Sequence, residues 1–132
     1  MKIKNVILFE VDFNDALEAL SLKDMPVSQC LEFIEAIEEA GKRATAVQET
    51  KKTLILKRCK KDKDGNAVQD AHGEVSFPSK EEKDQCKEEL NKLMEEYFAF
   101  PMKEKIKIMS TDKFKPRHLA LVKELVDVVD PE

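Results

Sequence analysis

The chain has 132 residues, of which 38% carry charged side chains and 42% belong to the broad apolar set. At this length only about two-thirds of the unfolded chain's surface can be buried, so we expect a single compact domain with a modest core. The net charge of −4 argues against a nucleic-acid-binding protein, because phosphate neutralisation needs a dense basic surface. No run approaches the roughly 20 apolar residues of a membrane-spanning helix, which predicts an intracellular protein.

The first 25 residues are predicted to form a strand and a short helix. The run from Lys2 to Val11 is rich in β-branched and aromatic residues, which favours a strand. Asp12 or Asn14 can then cap a helix that extends to Leu22.

A second, long helix is predicted from Pro26 to the turn at Asp64-Gly65. Pro26 suits the first turn of a helix, where its missing N–H is not needed. A mid-helix glycine costs about 1 kcal/mol relative to alanine, so Gly41 indicates either the close approach of another helix or a bend. The apolar stripe recurs at spacings of three and four, and its members are Val27, Leu31, Ile34, Ile37 or Glu38, Gly41, Ala44, Val47, Leu54 and Ile55.

Two turn signals separate the long helix from a third one. Asp64-Gly65-Asn66 and His72-Gly73 bound short apolar runs that predict a small β-hairpin, and we find no internal repeat. Ser79 and Glu82 have the spacing of a capping box, which starts the third helix. The narrow seams of the two helices predict an antiparallel, coiled-coil-like arm with the hairpin at its tip.

The C-terminal part is predicted to complete a small sheet. Lysine and isoleucine alternate between Met102 and Met109, which indicates a half-buried strand that pairs with Lys2-Ile3-Lys4. A last helix from Pro116 through Val129 covers one face of this sheet. The predicted fold is therefore α+β and mostly helical. The predicted parts of the single domain 1–132 are the arm, about 26–98, and the terminal strands and helix in 1–25 and 99–132.

The sequence predicts no catalytic centre, metal site or cofactor. A zinc site would have to collect His72 and His118 together with cysteines from separate segments, with no short-spaced ligand pair. If Gly65 were the sixth position of a calcium-binding loop, the first would be Lys60 and the twelfth Ala71, and neither is a carboxylate. We therefore expect a protein that is not an enzyme.

The three cysteines are predicted to be reduced thiols. Cys30 and Cys86 lie on or beside the apolar stripes, where small core residues are expected. Cys59 stands among basic residues, which favour the thiolate, but no base accompanies it. The sequence leaves open whether Cys59 is reactive.

The far end of the long helix carries a cluster of basic residues. These cations also complement the C-terminal end of the helix dipole, which is the structural interpretation of the same pattern. The functional interpretation is that they bind a partner protein, and the alternative is a nucleic-acid-associated regulator that uses the same basic end. The predicted partner-binding residues are Lys57, Arg58, Lys60, Lys61 and Lys63.

Self-association is predicted through the middle of the long helix, because narrow apolar stripes often need a partner helix. The predicted seam consists of Gly41, Ala44 and Val47. The chain would then form a homo-oligomer.

Five motifs follow one another along the chain: Met1-Lys2-Ile3-Lys4-Asn5, Met25-Pro26-Val27, Glu49-Thr50-Lys51-Lys52-Thr53-Leu54-Ile55, Lys61-Asp62-Lys63-Asp64-Gly65-Asn66 and Glu88-Glu89-Leu90-Asn91-Lys92-Leu93-Met94. This order resembles a family of small uncharacterised proteins encoded by phages and prophages of Gram-positive bacteria. The resemblance implies a phage context and a protein-binding role, and it carries over no catalytic residues. We therefore expect a non-enzymatic protein of the host bacterial cytoplasm or the virion. It would bind a phage or host protein, either as a virion accessory or assembly factor or as an inhibitor of a host or defence protein.

Overall fold

Helices dominate the part of the chain that the computed structural model describes, residues 1–130. The last two residues of the predicted domain 1–132 lie outside that range. The fold is α+β and mostly helical, as predicted. Its helices and strands are β1 (Lys2–Lys4), a 3₁₀ helix (Asn5–Phe9), α1 (Val11–Ser21), α2 (Val27–Arg58), α3 (Lys80–Glu95), β2 (Tyr97–Ala99), β3 (Ile106–Met109), α4 (Pro116–Val122), a second 3₁₀ helix (Lys123–Leu125) and β4 (Val126–Val129).

The chain forms two compact units. Unit 1 contains residues 1–44 and the described residues from 97 onward, and unit 2 contains residues 45–96. The first part of α2 therefore belongs to unit 1 and the remainder to unit 2. Within residues 1–130, no helix has both the length and the apolar character needed to cross a membrane.

The core of unit 1 collects apolar side chains from every part of that unit. Phe13 and Leu20 of α1, Phe33 of α2 and Ile106 of β3 are all buried there. Their spacing along each element places them on one face, as the amphipathic pattern of a surface helix or half-buried strand requires.

The strand pairing in unit 1 differs from the prediction. β1 pairs antiparallel with β2, with Ile3 opposite Phe98, and β3 pairs in parallel with β4, with Ile106 opposite Val126. The predicted pairing of β1 with the Met102 to Met109 strand is therefore wrong. The last helix is also shorter than predicted, because the β-branched run that forms β4 favours an extended backbone over a helical one.

The opening strand is shorter than predicted, and a buried Asn5 follows it. β1 ends at Lys4, and the 3₁₀ helix begins at Asn5, whose side chain is completely inaccessible to solvent. Its Oδ1 accepts a hydrogen bond from Nε of Arg43 on α2, at 3.0 Å. A buried amide needs such a partner.

Unit 2 consists of the end of α2, two tight turns and α3. The capping residue of α3 is confirmed, because Oγ of Ser79 accepts a hydrogen bond from the backbone N–H of Glu82 at 3.2 Å. Before α3, the backbones of three residues, Lys60, Val68 and Ser76, are joined in a ring of hydrogen bonds. Lys60 donates to Ser76, Ser76 donates to Val68 and Val68 donates to Lys60, at 2.8, 2.8 and 2.9 Å.

Candidate protein-binding surfaces

Two consecutive turns follow α2, and the first is held by Asp62. One oxygen of this carboxylate, Oδ1, accepts backbone hydrogen bonds from Asp64 at 2.9 Å and Asn66 at 3.0 Å. Gly65 has a φ of +80°, the left-handed conformation in which glycine has no steric penalty. The predicted use of Asp-Gly-Asn as a polar turn is confirmed.

The second turn repeats the first. Oδ1 of Asp70 accepts from His72 at 2.8 Å and from Glu74 at 3.0 Å, and Gly73 has a φ of +78°. The same five-residue pattern of aspartate first and glycine fourth thus occurs twice, eight positions apart. The sequence analysis predicted both turns but not their shared hydrogen-bond pattern, for which the equal Asp-to-Gly spacing was the signal.

The predicted partner-binding residues divide into two groups. Lys57, Lys60, Lys61 and Lys63 are exposed at the end of α2 and in the first turn. The side chain of Arg58 is only 18% exposed. Of the predicted set, the four lysines therefore lie at the surface of unit 2, whereas Arg58 lies mostly within it.

Arg58 joins the last turn of α2 to α3. Its guanidinium donates to Glu82 at 3.0 Å, to Gln85 at 2.7 Å and to Glu89 through Nε at 2.8 Å. These charge-assisted bonds raise the pKa of Arg58 and lower the pKa of the Glu89 carboxyl. We therefore assign Arg58 to the internal structure of unit 2 and leave it out of the binding surface.

The basic end of α2 is close to neutral once the turns are included. Residues 57–76 contain five basic and four acidic side chains. Asp62 and Asp64 lie among the lysines of the first turn, and Asp70 and Glu74 lie in the second turn. A nucleic-acid backbone presents a continuous line of negative charge, so interleaved carboxylates weaken this region as a phosphate-binding surface.

The predicted self-association seam is not a continuous surface. Gly41 is exposed and Ala44 is half-buried, but Val47 is 2% exposed. The prediction fails at Val47 because two successive steps of three residues turn about 120° around the helix, so Gly41 and Val47 lie on different faces. The structure separates these faces.

Within unit 1, α2 has apolar residues on two sides. Phe33, Ala36 and Ala40 are buried in the core of unit 1. A second set, at the same helical spacing on the other side, is open to solvent, and Val27, Leu31 and Ile34 are 75%, 57% and 54% exposed. We name the second set, together with the exposed Ile37 and Gly41, the outer face of α2.

Two carboxylates lie on and beside the outer face. Glu35 and Glu38 are both exposed. At about 100° per residue, Glu35 lies at the edge of the face beside Leu31, whereas Glu38 lies on the face itself, between Val27 and Leu31. Nearby, Nζ of Lys42 forms an ion pair with Glu39 at 3.2 Å. The outer face is therefore negative at Glu35 and Glu38.

One cluster in unit 1 has the composition of a metal site. Ligand atoms of Asp12, Asp15 and His118 lie within 4.8 Å of one another. However, Nε of Arg117 lies 2.5 Å from Oδ2 of Asp12, and Asp12 is in the first turn of α1. The guanidinium and the positive end of the helix dipole both oppose a second cation there. We assign the cluster to the packing of α4 against α1.

The three cysteines differ in their exposure to solvent. Cys59 and Cys86 are buried, and burial raises the pKa of the Cys86 thiol. Cys30 is half-buried, with Sγ 3.5 Å from the carbonyl oxygen of Met25. Burial of Cys59 removes the exposure that a reactive thiol requires, although basic residues are close to it in sequence.

One groove of unit 1, about 680 Å³, has no nucleophile paired with a histidine base in its lining. Lysines, apolar side chains, one tyrosine and one carboxylate, Glu124, line it. Histidine, cysteine and serine are all missing from this lining.

A comparison of the chain with known protein families, curated proteins and solved structures finds no match.

Proposed function

We propose that this chain is a non-enzymatic phage protein that acts by binding another protein. It acts either as a virion accessory or assembly factor or as an inhibitor of a host or defence protein. The protein-binding part of this proposal rests on one observation, the exposed apolar residues of the outer face of α2. The phage context comes from the resemblance carried by the motifs at Met1, Met25, Glu49, Lys61 and Glu88.

The outer face favours a protein partner because it leaves large apolar side chains in water. Fully burying a valine, leucine or isoleucine contributes roughly 1.5–3 kcal/mol. Single exposed apolar residues are normal on protein surfaces, but Val27, Leu31 and Ile34 recur on one side of one helix. A partner that covered them together would gain most of that free energy at a single site.

Affinity capture from phage-infected cells tests this proposal. The wild-type chain is expected to retain a specific protein, and Leu31→Asp is expected to lose it, because the new carboxylate would be buried without a counter-ion. Val11→Asp is the matched control, since Val11 is 83% exposed but lies outside the outer face. Capture that is equal for all three proteins would contradict the proposal.

The four exposed lysines favour a nucleic-acid-associated regulator as the second candidate. This function predicts binding to duplex DNA or RNA that weakens steeply with salt. Changing Lys57, Lys60 and Lys61 to glutamate would remove that binding and leave Leu31-dependent protein capture intact. The absence of nucleic-acid binding at low salt would eliminate this candidate.

A further inference from the structure

The outer face of α2 has the dimensions of a helix-binding surface. Val27 and Gly41 are fourteen residues apart in one unbroken helix, which corresponds to about 21 Å at 1.5 Å per residue. Between them, the apolar residues recur at four and three positions. This is the spacing with which one helix packs its side chains between those of another.

Gly41 provides a second reason to expect a helix. A Cβ atom built on Gly41 would meet no atom within 4 Å, so the packing of this chain does not require glycine there. Its backbone is helical, with no positive φ that would favour glycine. A glycine on the outer face does, however, allow the backbone of a partner helix to approach more closely than a larger residue would.

The charge of the outer face specifies the partner. Because Glu35 lies at its edge and Glu38 on it, a partner with lysine or arginine beside its own apolar stripe would be attracted to the face, and an acidic partner would be repelled. A second copy of this chain is a poor occupant. In a symmetric dimer the same surface contributes from both sides, so two faces that both carry these carboxylates would be brought together.

We propose that the outer face of α2 binds a basic amphipathic helix of the partner protein. This inference rests on the proposed protein-binding function and names the chemistry of what is bound. Leu31 and Ile34 would contact the apolar stripe of that helix, Gly41 would lie where the two backbones come closest, and Glu35 and Glu38 would pair with its cations.

Two designed peptides test this inference with the full chain. Each is about 18 residues long, with leucine at alternating spacings of three and four; one has lysine at the bordering positions and the other has glutamate. Binding is measured by fluorescence anisotropy of labelled peptide. The lysine peptide is expected to bind about tenfold more tightly than the glutamate peptide. Leu31→Asp is expected to abolish binding of the lysine peptide.

Charge reversal provides the specific control. The double variant Glu35→Lys and Glu38→Lys is expected to reverse the preference between the peptides. The double variant Glu81→Lys and Glu88→Lys changes the net charge equally at exposed positions of α3 and is expected to leave the preference intact.

Several outcomes would overturn the inference. Equal effects of the two charge reversals would show that the attraction is non-specific. Equal affinity for the two peptides would show that the outer face does not select a basic helix. If light scattering showed that the wild-type chain is a dimer and that Leu31→Asp is a monomer, the outer face would bind a second copy of this chain. If neither peptide bound while Leu31→Asp still lost the captured protein, this inference would fail and the proposed function would stand. If Leu31→Asp changed neither assay, both would fail.

Discussion

Among individual residues, Arg58 is the clearest case of a charged side chain with a structural role. It lies in a run of basic residues, and that composition predicted a binding residue. The structure instead places three hydrogen-bond acceptors of α3 around its guanidinium. The acceptors lie 24 to 31 positions further along the chain, beyond the reach of any local pattern.

Glu89→Gln is expected to destabilise unit 2 at neutral pH and to reduce the acid sensitivity of the protein. Arg58 lowers the pKa of Glu89 in the folded state, so the ionised carboxylate stabilises the fold. This contribution is complete above the unfolded pKa of about 4.3 and is lost as the pH falls through the lower folded pKa. Thermal unfolding of both proteins between about pH 7 and pH 3 measures it. Glu88→Gln, at the exposed neighbouring position, should retain the wild-type pH dependence.

The cysteines should differ in reactivity according to burial. In the native protein, an aromatic disulfide reagent is expected to modify Cys30 first, because Cys59 and Cys86 are buried. All three thiols should react once the chain is unfolded in denaturant. Mass spectrometry of partly modified protein identifies the site, and rapid native modification of Cys59 would refute the assignment.

The three glycines of the chain show how secondary-structure context changes the meaning of one residue type. Gly65 and Gly73 have positive φ and occupy matching places in the repeated turns. Gly41 has a helical backbone and open space around it. The turn glycines are therefore required by the conformation of this chain, whereas Gly41 is not.

Alanine substitutions should separate these cases. Gly65→Ala is expected to destabilise the protein by about 1–2 kcal/mol, because a Cβ penalises the left-handed conformation. Gly41→Ala is expected to stabilise it by up to about 1 kcal/mol, because alanine favours the helix. Urea unfolding midpoints measure both changes. Loss of stability in Gly41→Ala would mean that α2 needs glycine at this position for its own packing.

In the molecule as a whole, the buried apolar residues are concentrated in unit 1. Among the described residues, those of unit 2 that are buried are Val47, Cys59 and Cys86. Little apolar burial leaves charge-assisted hydrogen bonds, such as those of Arg58, with a larger share of the stability of that unit. Such regions open at lower free energy than a well-packed core.

Native-state hydrogen exchange should show this difference. Backbone amides of α3 are expected to exchange at a lower opening free energy than those of α1, and Glu89→Gln should accelerate exchange within residues 45–96 only. Uniform acceleration across both units would indicate that the chain unfolds as a single cooperative block.

Much of the fold could be predicted because its helix boundaries are local. Pro26 precedes α2, Ser79 caps α3, and glycine with aspartate forms the turns between them. Each of these effects involves atoms within about four residues, so the sequence alone determines them. The repeated turn was equally local and could have been recognised.

The sequence predicted one apolar stripe along α2, which includes Leu31, but only the tertiary structure decided which apolar side chains of that helix are covered. Phe33 and Leu31 have similar apolar character, yet one is buried in unit 1 and the other is exposed. The same holds for β1, whose partner β2 lies more than 90 residues away. Periodicity defines a face or a strand from neighbouring residues, whereas burial and pairing depend on segments far along the chain. For that reason the structure exposes a candidate binding surface at the outer face of α2, whereas it buries Val47 of the predicted seam.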